Sequence, residues 1–261
     1  YMALRRIKLF FNRFLNALKI GSFFFGARYL KIPKIIKING KKINLILPDE
    51  YGVKITFAET FLDDTYELDW IKKFAEKRNI EINSILDIGG NCGLTSLKLR
   101  CNFPKSIIHC YEPNLALQNY LETNSKCGNF NCFFEAVGSF SGSVKLNIDK
   151  NESVLSSIQK GVEGETKQIS FEDAYKRFNV DYLDIVKMDC EGSEWQIFEN
   201  KNIFKKVKFI TMEYHLGENN LDHYKISNVL DDLGFKLVSK IDYLSKANYG
   251  IALAYNRKIL L

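Results

Sequence analysis

Four stretches of this sequence put acids, one lysine and one histidine where a reaction could use them. The densest is Lys187-Met188-Asp189-Cys190-Glu191-Gly192-Ser193-Glu194, which sets one cation and three carboxylates within eight residues, at the end of the apolar run that begins Leu183-Asp184-Ile185-Val186. Collecting like charges at the end of a buried strand is costly unless they are paired or liganded, so such clusters mark sites of chemistry more often than chance. A structural role accounts for part of it: Lys187 can bridge a carboxylate, and Glu194 can cap the next helix. Further on, Thr211-Met212-Glu213-Tyr214-His215 closes another apolar run with an acid and an imidazole, the side chain that titrates nearest neutrality. Asp189, Glu191, Glu213 and His215 are therefore the candidates to accept a proton, with Lys187 beside them. Asp189 and Glu213 could instead hold Mg²⁺ through hard carboxylate oxygens, a less favoured alternative.

The other two stretches read as a binding site. Ile85-Leu86-Asp87-Ile88-Gly89-Gly90-Asn91-Cys92-Gly93 runs from an apolar segment into a glycine-rich turn and then into Leu94-Thr95-Ser96-Leu97, the pattern of strand, tight loop and helix. Glycines serve where the backbone takes positive φ or approaches a ligand, and the N–H groups that open the helix point into the same crevice. The dinucleotide fingerprint G-x-G-x-x-G is not there. S-adenosylmethionine has no phosphate to cradle, but it carries an amino-acid head whose ammonium Asp87 could meet directly or through water. Gly89, Gly90, Asn91 and Gly93 would form the loop. Glu112, nineteen residues after Gly93 in Tyr111-Glu112-Pro113-Asn114, stands where an acid can accept both hydroxyls of a ribose. Pro113 follows it, and Ala136 and Val137 in Glu135-Ala136-Val137-Gly138 are small enough to lie against an adenine.

These residues need strand ends to carry them. Apolar periodicity predicts strands over 82–88, 106–111, 131–137, 183–189, 207–213, 235–241 and 249–256, with helices over 67–78, 93–102, 114–127, 193–200 and 220–233. Alternation of that kind implies an α/β fold with a mostly parallel sheet and helices on both faces, and the last two strands suit an antiparallel hairpin at the sheet edge. In such sheets a ligand sits beyond the carboxyl ends of the strands, where the strand order reverses.

The chain has 261 residues, 46% of them hydrophobic and 26% charged, which fits one large globular domain with an appendage. No apolar run reaches the ~18 residues that suggest a bilayer span, and the start of the chain lacks a secretory block, so the expected location is cytoplasmic. Six cysteines without a C-x-x-C pair read as reduced thiols. Residues 1–48 contain eleven Lys or Arg and no Asp or Glu, leaving the rest of the chain net acidic. Leu4, Ile7, Phe11, Phe14, Leu15 and Leu18 recur at helical spacing among them, a basic amphipathic helix. Either its apolar face packs on the protein or it meets an anionic surface, placing the protein peripherally at the inner membrane. A second helical piece is expected over Ser22 to Leu30, and Asn39-Gly40 between alternating runs signals a hairpin. The expected division is a basic extension over 1–48 and a catalytic domain over 49–261, with no nucleic acid as partner.

Taken in order, Asp87-Ile88-Gly89-Gly90-Asn91-Cys92-Gly93, Tyr111-Glu112-Pro113, Glu135-Ala136-Val137-Gly138 and Lys187-Met188-Asp189-Cys190-Glu191-Gly192-Ser193-Glu194 resemble the motifs of the FkbM-type S-adenosylmethionine-dependent methyltransferases. The last stretch resembles the most distinctive of them, K-x-D-x-E-G-x-E, and the resemblance spans about Phe57 to Tyr255. It implies a class I methyltransferase, Rossmann-like fold with a seven-stranded sheet, and methyl transfer to a hydroxyl oxygen of a glycan, a lipid-linked sugar or a secondary metabolite. Gly90 departs from the family's usual alanine, and the basic extension lies outside the match. Two rival classes remain open to test: a catalytically silent, membrane-associated module of the same fold, which would bind no cofactor, and a nicotinamide-dependent oxidoreductase, which would bind NADH.

Overall fold

A computed structural model describes residues 2–26, 29–38, 41–148, 156–159, 164–190, 193–216, 224–242 and 248–260. The chain begins with α1 (Met2–Lys19), the hairpin β1 (Ile35–Ile38) and β2 (Lys41–Asn44), and α2 (Tyr51–Phe57), which runs on into a π-helical turn, Ala58–Asp63. Next come α3 (Leu68–Arg78), β3 (Ser84–Ile88), α4 (Leu94–Asn102), β4 (Ile107–Tyr111), α5 (Gln118–Gly128), β5 (Asn131–Phe133), β6 (Ala136–Gly138), β7 (Gly142–Ile148), β8 (Ser156–Gln159) and β9 (Thr166–Ser170). The remainder is α6 (Phe171–Lys176), β10 (Leu183–Met188), α7 (Glu194–Ile197), α8 (Lys201–Phe204), β11 (Val207–His215), α9 (Lys225–Asp232), β12 (Phe235–Asp242), β13 (Tyr249–Asn256) and α10 (Arg257–Leu260).

Seven strands form the central sheet in the order β12-β13-β11-β10-β3-β4-β5. The five strands from β5 to β11 pair in parallel; β13 runs antiparallel between β11 and β12. Every residue of β3 and β10 is buried, as a central parallel strand covered on both faces must be. Alternate side chains feed two cores. Ile85, Ile185, Phe209 and Leu253 join the one that also receives Phe24, Leu30, Ile36 and Ile43 from the N-terminal segment. Leu86, Val186, Ile210 and Ala254 join the other. The strand order reverses beside β3, so the β3/β10 boundary is the crevice for a ligand.

Two expectations change. The strand predicted over 131–137 is two: β5 ends at Phe133, and β6 leaves the central sheet to pair with β9 in a four-stranded sheet of order β6-β9-β7-β8. Among the described residues of Ser22 to Leu30 there is no α-helix. Burial alternates there, with Ser22 and Phe24 in and Phe23 and Phe25 out, and Phe23 bridges Lys31 in antiparallel fashion. A period of two wins because only one side of this segment meets the core. The hairpin is present as the β1–β2 ladder, Ile38 opposite Lys41, while Asn39 and Gly40 lie outside the described residues.

Candidate active site

The loop after β3 turns sharply because its backbone is held on one carbonyl: the N–H groups of Gly89 and Gly90 both donate to the Tyr111 oxygen at the end of β4, at 3.0 and 2.9 Å. Gly89 has φ of 74°, and a Cβ there would collide with the Asp189 carbonyl oxygen. A Cβ at Gly90 would collide with the Cys110 Sγ. These glycines are therefore demanded by the strand ends on either side, and Gly90 makes room for Cys110. Asn91 follows at φ of 52°, with its side-chain oxygen accepting from the Cys92 N–H at 2.7 Å.

Beneath the loop lies a buried charge cluster. Parallel register places Lys187 opposite Asp87. The Lys187 Nζ donates to the Gly89 carbonyl at 2.9 Å and lies 3.4 Å from Asp87 Oδ1 and 3.7 Å from Asp189 Oδ2. Burial by itself would lower this lysine's pKa; Asp87 and Asp189 more than offset it and hold the ammonium charged. Lys187 is thus a fixed cation that pins the loop, ill suited to be a base. Asp87 is fully buried, takes a 2.6 Å bond from Ser96 Oγ, and does not line the cleft. Sequence allows Asp87 a contact with an ammonium, direct or through water; register puts its carboxylate against Lys187, behind the loop.

Above the loop opens a cleft of about 610 Å³. Gly89, Gly90, Asn91, Glu112, Pro113, Ala136 and Val137 line one part of it; Gly93, at φ of 88°, instead opens α4 and packs near Phe130 and Leu121. Glu112 accepts backbone N–H bonds from Asn91 and Asn114, both 2.8 Å, one on each oxygen. Burial nevertheless pushes its carboxyl up to about 7. Each oxygen keeps a lone pair, so the group is preset toward hydroxyl donors. Glu135 at the same wall is neutralised by Arg177 at 2.6 Å and Lys167 at 2.5 Å.

Lys187, Asp189, Glu213 and His215, all expected from sequence, line the other part of the cleft, so the ends of β10 and β11 bring them together. Asp189 Oδ2 accepts from Tyr66 Oη at 2.9 Å, whereas its buried Oδ1 has no hydrogen-bond partner among the described residues. His215 stands between two acids, Nδ1 3.1 Å from Glu194 Oε1 and Nε2 3.2 Å from Glu213 Oε1. Burial raises the Glu213 pKa. Glu191, the remaining candidate, lies outside the described residues, as does Gly192. Among the described residues no group of three or more His, Cys, Asp or Glu is arranged to hold a metal ion. All six cysteines are free, and burial pushes Cys92 up to about 12 and Cys190 well above the usual thiol range, against thiolate chemistry.

Among the cleft residues that escaped the sequence reading are Glu59 and Tyr66. Glu59 sits on the π-helical turn, a distortion frequent at functional sites, and burial followed by the nearby Glu213 raises its carboxyl to about 7. A lone acid inside Ile55-Thr56-Phe57-Ala58-Glu59-Thr60-Phe61-Leu62 was the available signal. Tyr66 carried none, since its partner Asp189 is 123 residues away.

Comparison with known proteins identifies the family. The methyltransferase FkbM domain family matches residues 52–237, most of the chain, and the protein belongs to that family. Among solved structures, the methyltransferase domain of METTL16 superposes with a TM-score of 0.51 at 14% identity, covering 82% of this chain and 73% of that one. The magnesium protoporphyrin IX methyltransferase of Synechocystis, solved with bound S-adenosylmethionine, gives 0.46 at 9% identity, covering 81% and 85%. No curated protein matches the sequence significantly. The fold is that of the class I methyltransferases, and the chain is a methyltransferase of the FkbM family.

Proposed function

We propose that this protein transfers a methyl group from S-adenosylmethionine to a hydroxyl oxygen, on a glycan, a lipid-linked sugar or a secondary metabolite. The observation that carries the reading is one cleft lined both by a glycine loop with the preset acid Glu112 and by the proton-accepting groups Glu59, Asp189, Glu213 and His215. The residues present fit the cofactor: Glu112 offers both oxygens to ribose hydroxyls, Ala136 and Val137 offer an apolar shelf, and the Oδ1 of Asp189, without a hydrogen-bond partner among the described residues, offers a buried acceptor to a cationic or O–H donor. Bound there, S-adenosylmethionine supplies a methyl carbon already activated by its sulfonium.

The chain's own contribution is alignment and proton removal. A hydroxyl must lose its proton as its oxygen attacks, and carboxyls raised toward neutrality by burial, such as Glu59, match that task better than ordinary surface acids. Glu213 and His215, 3.2 Å apart, form a pair along which the proton can be held. Tyr66 and Tyr249 present aromatic rings beside these acceptors, a combination that suits a polyhydroxylated ring with its own apolar faces and hydroxyls. The test is transfer of labelled methyl from S-adenosylmethionine to panels of sugars, lipid-linked sugars and phenolic or polyketide alcohols. Transfer to oxygen that persists in EDTA is expected. Label appearing only on nitrogen or carbon acceptors would overturn the hydroxyl assignment, and loss in EDTA restored by Mg²⁺ would replace the carboxylate base by a metal.

A further inference from the structure

The N-terminal helix turns its apolar stripe outward. Ile7, Phe11, Leu15 and Leu18 fall within about 80° of one another around the axis of α1, and all are exposed, Phe11 at 58%. The inner side of the helix is made by other residues: Ala17 is fully buried, Asn16 Nδ2 donates to the Leu62 carbonyl at 2.7 Å, and Arg13 pairs with Asp63. The stripe does not end with the helix. Phe14 of α1 lies edge-on to Phe23 and Phe25, with centroids 6.3 and 6.1 Å away, and those two rings stack on each other while remaining mostly open to solvent. Packing among the described residues therefore leaves this apolar face uncovered, and a contiguous exposed patch of that kind marks an interaction surface.

The charge around the patch says what it fits. Residues 1–48 carry eleven basic and no acidic side chains, and Lys19, Lys31, Lys34 and Lys37 are exposed, with Lys31 bridged directly to Phe23. We propose that α1 and the Phe23–Phe25 segment form a docking surface for an anionic lipid bilayer, with aromatic and aliphatic side chains entering the interface and lysines meeting the headgroups. In-plane amphipathic helices bind membranes through this pairing of aromatics with basic flanks. A second copy of the chain is a poorer occupant, because a symmetric interface would bring two such basic segments together. No helix among the described residues is long and apolar enough to cross a membrane, so the contact would be superficial. Through Arg13 and Asn16 the surface is bonded to the π-helical turn that carries Glu59, so the docking helix and the cleft share a wall.

Co-sedimentation of the whole chain with vesicles tests this. Binding to phosphatidylcholine vesicles containing phosphatidylglycerol should exceed binding to pure phosphatidylcholine by tenfold or more, and should fall at least as much in about 1 M salt, where the screening length is about 3 Å. Two variants separate the contributions. Phe11→Ser with Phe23→Ser and Phe25→Ser should weaken binding about tenfold, and Lys31→Glu with Lys34→Glu and Lys37→Glu should erase the preference for anionic lipid, each with the wild-type melting temperature. Equal binding to neutral vesicles, no binding to either, or binding indifferent to both variants would overturn the proposal. So would a stable dimer in solution that the phenylalanine variant alone dissociates, which would make the patch an interface between copies.

Discussion

Asp184 and Asp189 stand at opposite ends of β10 and face opposite fates. Near the amino end, Asp184 is saturated: it accepts from the Asn83 and Ser84 N–H groups at 2.6 and 2.9 Å and pairs with Lys208 at 2.6 Å. Just past the carboxyl end, Asp189 has one oxygen bonded to Tyr66 and the other buried without a hydrogen-bond partner among the described residues. Around it, Glu59 is raised by burial and by Glu213, and Glu213 is raised by burial and by Asp189. Both aspartates are strand-end acids beside a lysine. The difference teaches that a buried carboxylate serves stability when its lone pairs are used by the protein and serves chemistry when some are left for a ligand.

The sharpest way to break the comparison is at Asp189. Asp189→Asn should slow methyl transfer roughly a thousandfold while leaving the melting temperature within a few degrees, measured by turnover at saturating cofactor and by calorimetry. Next in size, Asp184→Ala strands the Lys208 cation and three donors, the Asn83 and Ser84 N–H groups and the Ser84 hydroxyl, and should lower stability by about 3 kcal/mol with turnover per folded molecule unchanged in denaturant-checked samples. If Asp184→Ala were silent or Asp189→Asn unfolded the chain, the two ends would not differ as described.

Glu59 gives a smaller, pH-resolved effect. Its carboxyl titrates near 7 when folded against 4.5 in the unfolded chain, so the folded state holds the proton more tightly. The stability this contributes is complete below about 4.5 and is lost as pH rises through 7. Glu59→Gln should therefore stabilise the protein by about 1–3 kcal/mol at pH 8 and leave it unchanged near pH 4, and should slow transfer most at high pH. Thermal melts across that range check the sign.

Much of this was legible from the residues. The seven central strands and the glycine loop follow from apolar runs ended by Gly, Asn and acids, and Lys187-Met188-Asp189 with Glu213-Tyr214-His215 declared the strand ends that meet. The four-stranded second sheet was not read, although Val144, Leu146 and Ile148 alternate behind Gly142; a half-exposed strand in a small sheet carries too few apolar residues to stand out from a loop. For Asp87, sequence gives its distance from the loop but not the register that puts Lys187 beside it. Tyr66 gave no signal and Glu59 only that of a lone acid in an apolar run, because only the fold carries the segment before the first motif over to β10 and β11.

The central claim is that the cleft beside Gly89 and Glu112 holds S-adenosylmethionine. Titration calorimetry with S-adenosylhomocysteine tests it most directly. One site per chain is expected in the wild type, weakened about tenfold or more by Glu112→Ala, since a buried charged acceptor bonded to ribose hydroxyls contributes roughly 1.5–3 kcal/mol. Absence of binding, binding unaffected by Glu112→Ala, or binding of NADH in its place would contradict the account.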